Sequence, residues 1–351
     1  MQRYHDRVAV KTKGYALTYE QLNKMSNRVA HAILDKCAVG GAPIALLLEN
    51  DKSMFVGMFG VLKSGNVFVT LDPLNPAERN AFILADSQPT LIVTDNPNLL
   101  LAEQLVRRGG VILNLDAIDP AVSEENLKLA IPPDAVAHIL YTSGSTGVPK
   151  GVLRNHRNEL HYIMCYTNFF HTCEEDRISL LGSQGSGQSV MSVWWALLNG
   201  AALYPLNLKR EGLLHLATWL MQEEITTLYV GVAVFRQLMS TLSGAERFPH
   251  LRVIRLGSEA VQKSDVALFK KHCSPHCVLA NAISISEAGV IRQCFIDDAL
   301  LVDCDTVPIG YAVEDKEILL LDEDGKELGL GCVGEIAVKS RYLSPGYWRR
   351  P

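Results

Sequence analysis

Short, mostly apolar segments alternate with stretches of helical periodicity through most of this chain. Residues 43–48 (Pro-Ile-Ala-Leu-Leu-Leu) show the pattern. They leave no polar face for water, so the strand they predict is covered on both sides. Comparable runs stand at 66–71, 90–94, 135–140, 178–181, 202–205, 227–230, 251–256 and 278–282. Helix-like segments lie between them at 52–63, 77–84, 190–198, 211–223 and 233–242. An earlier helix opens at Thr18, where Gln21 three residues on completes a capping-box pattern. Its apolar face is Leu22, Met25, Val29, Ala32 and Ile33, and Gly40-Gly41 closes the unit. Buried strands alternating with helices predict an α/β fold with mainly parallel sheets. From about residue 301 the rhythm changes. Segments 302–310, 317–321 and 334–339, with a turn at Asp322-Glu323-Asp324-Gly325, predict short antiparallel strands and a small β subdomain.

Composition narrows the function classes. The net charge is -5 over 351 residues, with no basic run, so no nucleic-acid partner is expected. The longest apolar stretches are too short to span a bilayer, so no membrane partner is expected either. The first ten residues lack the apolar core of a signal peptide, which makes a cytoplasmic location the expectation. Eight cysteines in a chain of this length do not form a disulfide scaffold. His272, Cys273, His276 and Cys277 are soft ligands close together, but so short a segment can hardly wrap one ion tetrahedrally.

The most specific feature is Tyr141-Thr-Ser-Gly-Ser-Thr-Gly-Val-Pro-Lys-Gly-Val152. Small residues let a backbone approach a polyanion, and successive N–H groups in such a loop form an anion-binding concavity. Thr142, Ser143, Ser145 and Thr146 add hydroxyls, Gly144 and Gly147 add freedom, and Lys150 adds charge. A linker would not lie between two apolar segments. The P-loop pattern, Gly-Lys followed by Ser or Thr, is not met by Pro149-Lys150-Gly151.

This segment resembles the signature loop of the adenylate-forming superfamily, which includes acyl-CoA synthetases, luciferases and the adenylation domains of non-ribosomal peptide synthetases. Further segments resemble the family's motifs in the family's order. They begin at Leu17, Leu62 (the form closest to peptide synthetases), Leu256, Asn281, Val333 and Ser344. The resemblance implies two αβ subdomains with mainly parallel sheets flanked by helices, at 1–175 and 176–300, plus a small distorted antiparallel β-barrel subdomain at 301–351. It implies activation of a carboxylic acid by ATP and Mg²⁺ as an acyl-adenylate. The acceptor would be a carrier-protein phosphopantetheine or, in the stand-alone alternative, coenzyme A. A third reading is a non-catalytic nucleotide-binding or scaffold protein, against which Lys150 and Glu287 argue.

By the same resemblance, residues 142–147 and Lys150 cradle phosphates, Glu287 holds Mg²⁺, and Ser286 replaces a threonine facing the α-phosphate. Gly257, Ser258, Glu259, Asn281, Ala282 and Ile283 border the adenine, with Ile283 where many members place an aromatic ring. The acid pocket carries over to Gly187, Gln188, Met191, Ala233, Ile254, Leu256, Ala282, Val290 and Ile291. Gly187 stands where amino-acid-activating members place an aspartate, which implies an acid without a free α-ammonium: a buried ammonium needs a carboxylate partner. Full-length relatives continue into a mobile lobe carrying a catalytic lysine, so this stretch by itself is expected to bind its ligands with poor turnover.

Overall fold

The computed structural model describes residues 2–37, 40–106, 110–142, 148–183, 185–243, 246–297, 304–329 and 331–350. Strands β1 (Val8–Lys11) and β2 (Ala16–Thr18) precede helix α1 (Tyr19–Leu34). There follow β3 (Pro43–Leu47), α2 (Lys52–Lys63), β4 (Val67–Leu71), α3 (Ala77–Ser87), β5 (Leu91–Thr94), α4 (Leu99–Leu105) and β6 (Val111–Asn114). The middle of the chain forms β7 (Val136–Thr142), β8 (Lys150–Asn155), α5 (His156–Phe170), β9 (Arg177–Leu180), α6 (Gly187–Leu197) and β10 (Ala202–Pro205). Next come α7 (Leu208–Glu211), α8 (Leu216–Gln222), β11 (Thr227–Gly231), α9 (Val232–Ser240), β12 (Val253–Gly257) and α10 (Lys263–His272). The last elements are β13 (Val278–Ile285), β14 (Gly289–Ile296), β15 (Tyr311–Ala312), β16 (Glu317–Leu321) and β17 (Glu335–Lys339).

A six-stranded sheet runs β6-β5-β3-β4-β7-β8, parallel except for the β7–β8 edge. A nine-stranded sheet runs β15-β14-β13-β12-β11-β9-β10-β1-β2, parallel from β1 to β13 and antiparallel at both margins. Every residue of β3 and β4 is buried, as a character apolar throughout but for Thr70 requires. The capping box at α1 forms in full: Gln21 N–H donates to Thr18 Oγ1 at 3.2 Å, and Thr18 N–H donates to Gln21 Oε1 at 2.9 Å. One core joins the two sheets. Ile44, Leu46 and Phe68 of the first share it with Ile178, Leu203 and Val253 of the second, through α1, α2, α5 and α6. A second core, with Ile254, Leu256 and Phe269, fills the outer face of the larger sheet. Among the described residues no helix is long and apolar enough to cross a membrane.

Four features differ from the sequence reading. The β1–β2 hairpin, inside the stretch assigned to the first subdomain, pairs with β10 in the larger sheet. The helix expected at 211–223 is divided by Gly212, whose φ of +76° no continuing helix accommodates, into α7 and α8. In the segment expected as a strand at 302–310, residues 304–310 make only an isolated bridge from Thr306 to Gln262, and 302–303 lie outside the described residues. The closing β subdomain, expected as a distorted barrel, contributes one two-stranded antiparallel ribbon, β16–β17, among the described residues.

The helix pair α1–α2 depends on one close approach. A Cβ on Gly60 would lie 2.4 Å from Val29 Cγ1, and Val29 is buried. Alanine gains up to about 1 kcal/mol of helix propensity over glycine, but overpacking of a buried contact costs about 1–3 kcal/mol and prevails. Gly60→Ala should therefore lower the urea midpoint at unchanged m-value. Adding Val29→Ala should recover part of that loss; a single variant as stable as the wild type would refute the close approach.

Candidate functional site

A cavity of about 280 Å³ opens at the carboxyl ends of β11, β12 and β13, facing the N-terminus of α6 and the β7–β8 edge. This crevice outside the strand ends is where open α/β sheets place ligands. Strand β7 contributes His138 and Leu140, β8 Arg154, and α5 Glu159 and Tyr162. The first turns of α6 contribute Gly187, Gln188 and Met191, and Tyr229 comes from β11. Ser258 follows β12, and Ser284, Ile285 and Ser286 close the far side. Ser186 caps α6 by accepting from Ser189 N–H at 3.2 Å, and Gln188 Nε2 donates to the Tyr229 carbonyl at 2.8 Å, which ties the helix start to the sheet.

A buried ion cluster forms one wall. Arg154 Nε donates to Glu159 Oε1 at 2.6 Å, and His138 Nε2 lies 3.2 Å from the same oxygen. Arg154 Nη1 also donates to the Ser286 carbonyl at 3.2 Å, so the cluster holds the Ser286 loop in place. The His138 ring stacks on Phe68 with centroids 4.9 Å apart. Burial alone would raise the Glu159 carboxyl, but Arg154 and His138 outweigh it and hold the group at about 2. Sequence reasoning named none of these three residues. They sit on three separate elements, and no local spacing announces them.

Beside this wall, Tyr347 Oη donates to Glu287 Oε1 at 2.9 Å, and Lys150 Nζ lies 5.6 Å from the centre of the Tyr347 ring. The hydrogen bond to Glu287 raises the Tyr347 phenol above its ordinary value. Trp348 N–H donates to the Gly151 carbonyl at 2.7 Å and Leu153 N–H to the Gly346 carbonyl at 3.0 Å, so residues 346–348 are laid along β8. Thr142 and Lys150 are ladder partners at the end of β7 and β8. Ser143, Gly144, Ser145, Thr146 and Gly147 lie outside the described residues.

The other anticipated residues are divided. Gly187, Gln188, Met191, Ser258 and Ser286 line the cavity. Ser258 holds φ at +77°, a left-handed conformation unusual for a residue with a Cβ. Gly257 ends β12, and Glu259 is exposed, with an oxygen 3.8 Å from Arg236 Nη1. The buried Asn281 amide donates to the carbonyls of Val307 and Pro308, at 3.2 Å each. Ala282, Val290 and Ile291 are buried, and the half-buried Ile283 stands at a β-bulge between β13 and β14. Ile254 and Leu256 pack into the outer core, away from the cavity, and Ala233 is exposed on α9. Among the described residues no cluster of His, Cys, Asp and Glu could hold a metal ion by itself.

The family model described as AMP-binding enzyme matches residues 1–348. Gramicidin S synthase 2 of Brevibacillus brevis is 31% identical over 354 residues, covering 100% of this chain and 8% of that protein. Surfactin synthase subunit 2 of Bacillus subtilis (strain 168) is 32% identical over 347 residues, covering 98% of this chain and 9% of that protein. The chain thus spans only a small part of the length of these relatives. Among solved structures, the non-ribosomal peptide synthetase FmoA3 (S1046A) superposes with a TM-score of 0.91 at 21% identity, over 99% of this chain and 37% of that one. The N-terminal subdomain of Klebsiella oxytoca NpsA, in complex with 3-hydroxybenzoyl-AMSN, superposes with a TM-score of 0.84 at 21% identity, over 99% of this chain and 85% of that one.

Glu159→Gln leaves the Arg154 guanidinium buried without an anion and should cost about 3–5 kcal/mol in urea unfolding at neutral pH. Because Glu159 is depressed to about 2 from its ordinary 4.5, its stabilisation is complete above that ordinary value and fades as pH falls toward 2. The stability difference between wild type and variant should shrink over that window; a difference independent of pH would contradict the assignment.

Proposed function

The chain belongs to the AMP-binding enzyme family, and on that footing we propose that it activates a carboxylic acid with ATP as an acyl-adenylate, for transfer to the phosphopantetheine thiol of a carrier protein. The observation that carries this reading is the gathering of Lys150, Glu287 and Ser286 beside a cavity whose opposite wall is Gly187, Gln188 and Met191. In the reaction a carboxylate oxygen attacks the α-phosphorus. The bond from that phosphorus to the bridging oxygen breaks, and pyrophosphate leaves with the electron pair. The protein has no covalent part in this step. It orients the reactants and offsets charge.

Thr142, Lys150 and the residues between them bind the outer phosphates in this reading, and the Ser286 hydroxyl faces the α-phosphate. Mg²⁺ bound at the site would neutralise phosphate charge. Glu287 fits as its single protein carboxylate: it is a hard oxygen donor, oriented through Oε1 by Tyr347. Ser258 and Ile283 flank the base, while the Asn281 amide, engaged by Val307 and Pro308, positions β13 there. The AMPPNP-bound form of FmoA3, which shares this fold, supports the nucleotide assignment. Among the described residues the carboxylate lining the cavity is Glu159, whose Oε1 is held by Arg154 and His138 and whose charge Arg154 already balances. No uncompensated carboxylate on the described wall therefore faces an ammonium group, which supports an acid lacking a free α-amino group.

Calorimetric titration with MgATP tests the nucleotide site. Lys150→Ala and Glu287→Gln should each weaken binding by about tenfold or more, the value of a charge-assisted contact. Unaltered affinity in both variants would dismiss the proposed roles. The acid preference is tested with 4-methylpentanoyl- and leucyl-sulfamoyladenosine, which differ only by the ammonium. The first should bind at least about tenfold tighter, and the reverse order would exclude an acid without an amino group.

A further inference from the structure

A guanidinium is buried beside the cavity without a counter-ion. Arg255, in the middle of β12, has 0% of its surface exposed. Its Nη2 reaches Ser284 Oγ at 3.4 Å, and Nε and Nη1 make no hydrogen bond. The guanidinium carbon lies 4.2 Å from the centre of the Tyr229 ring and 5.6 Å from that of Tyr166. Neutral phenols are its neighbours, and no Asp or Glu among the described residues pairs with it. Stacking on aromatic rings offsets only part of the desolvation of a buried cation. The other buried arginine among the described residues is matched: Arg154 pairs with Glu159.

The fold points this charge toward the cavity. Strand alternation puts Ile254 and Leu256 in the outer core and Arg255 on the face of Tyr229. Gly257, two residues on, leaves room for the head group: a Cβ there would lie 2.8 Å from Arg255 Nη1. Of the residues in touch with the guanidinium, Tyr229 and Ser284 line the cavity, while Tyr166 lies behind it. Arg255 thus stands directly behind the wall, separated from an occupant by a ring and a hydroxyl.

Resting on the adenylation reading above, we propose that Arg255 is a specificity residue for a second anionic group, and that the acid activated here is a dicarboxylic acid. One carboxylate meets the nucleotide near Ser286. The other enters between Tyr229 and Ser284 and takes the end-on edge of Arg255, meeting the unpaired Nη1 and drawing Nη2 from its long contact with Ser284 Oγ. A guanidinium fork matches a carboxylate in bidentate geometry, which a phenol ring cannot supply. The missing aspartate at Gly187 and the surplus cation at Arg255 give the pocket the same sign preference.

The test is direct titration of the intact chain with paired acyl-sulfamoyladenosines: succinyl against butanoyl, glutaryl against pentanoyl, adipoyl against hexanoyl. Members of each pair have equal chain length and differ by the terminal carboxylate. At least one dicarboxylic probe should bind about thirtyfold tighter than its partner. Arg255→Met should abolish that preference while MgATP binds as in the wild type, and Arg255→Lys should keep part of it. Equal or weaker binding of every dicarboxylic probe to the wild type would overturn the proposal without any variant. An equal loss for both members of a pair and for MgATP in Arg255→Met would reduce Arg255 to a structural role. If the monocarboxylic probes and MgATP bind but selectivity is absent, this inference fails alone. If neither nucleotide nor any probe binds, the adenylation reading fails and takes the inference with it.

Discussion

Trp194 touches both halves of the molecule, and the site depends on that contact. Its ring lies 5.6 Å from that of Phe59 on α2 and 6.2 Å from that of Phe68 on β4, while its own helix packs on β9 and β10. Helix α6 is apolar on nearly every side, and nine of its eleven residues are buried, as a helix enclosed between two sheets must be. Because α6 is shared, the strand ends of both sheets face one crevice. The cavity is the gap left where the two layers diverge around the start of this helix. A wall built from β7, β8 and α5 can then oppose one built from β11 and β13.

Much of this architecture is legible in the chain. A continuous apolar run such as Pro43–Leu47 admits few positions other than the middle of a covered sheet, and it takes one. Thr18 and Gln21 close the capping box that their spacing predicts. The harder parts are those whose partners are remote. The β1–β2 hairpin carries charges and short strands, and only its pairing with β10 makes it part of a sheet. Helix α5 is crowded with aromatic and polar residues that blur its periodicity until α6 and the larger sheet cover it.

The site follows the same division. Gly187, Gln188 and Met191 are legible only through the family resemblance, and they line the cavity. The resemblance assigns Ile254 and Leu256 to the pocket, yet the residue between them faces the cavity side. Two-residue alternation could have identified Arg255, but a charged side chain within an apolar strand reads as an interruption when its neighbours are unknown. The cluster of His138, Arg154 and Glu159 was beyond sequence reasoning for another reason. Its energy exists only once burial removes water from three groups on different elements.

The hydrogen bond from Tyr347 to Glu287 has a temporal side. The two residues are 60 positions apart, and Lys150 lies far upstream of both. At a synthesis rate of about 5–20 residues per second, Glu287 leaves the ribosome several seconds before the tyrosine that orients it. During that interval the nascent chain can already have formed both parallel sheets while its carboxylate swings unanchored. On the proposed role of Glu287, competence to hold a nucleotide thus arrives as a late event in biogenesis, set by the docking of residues 346–348 along β8 rather than by the assembly of the core.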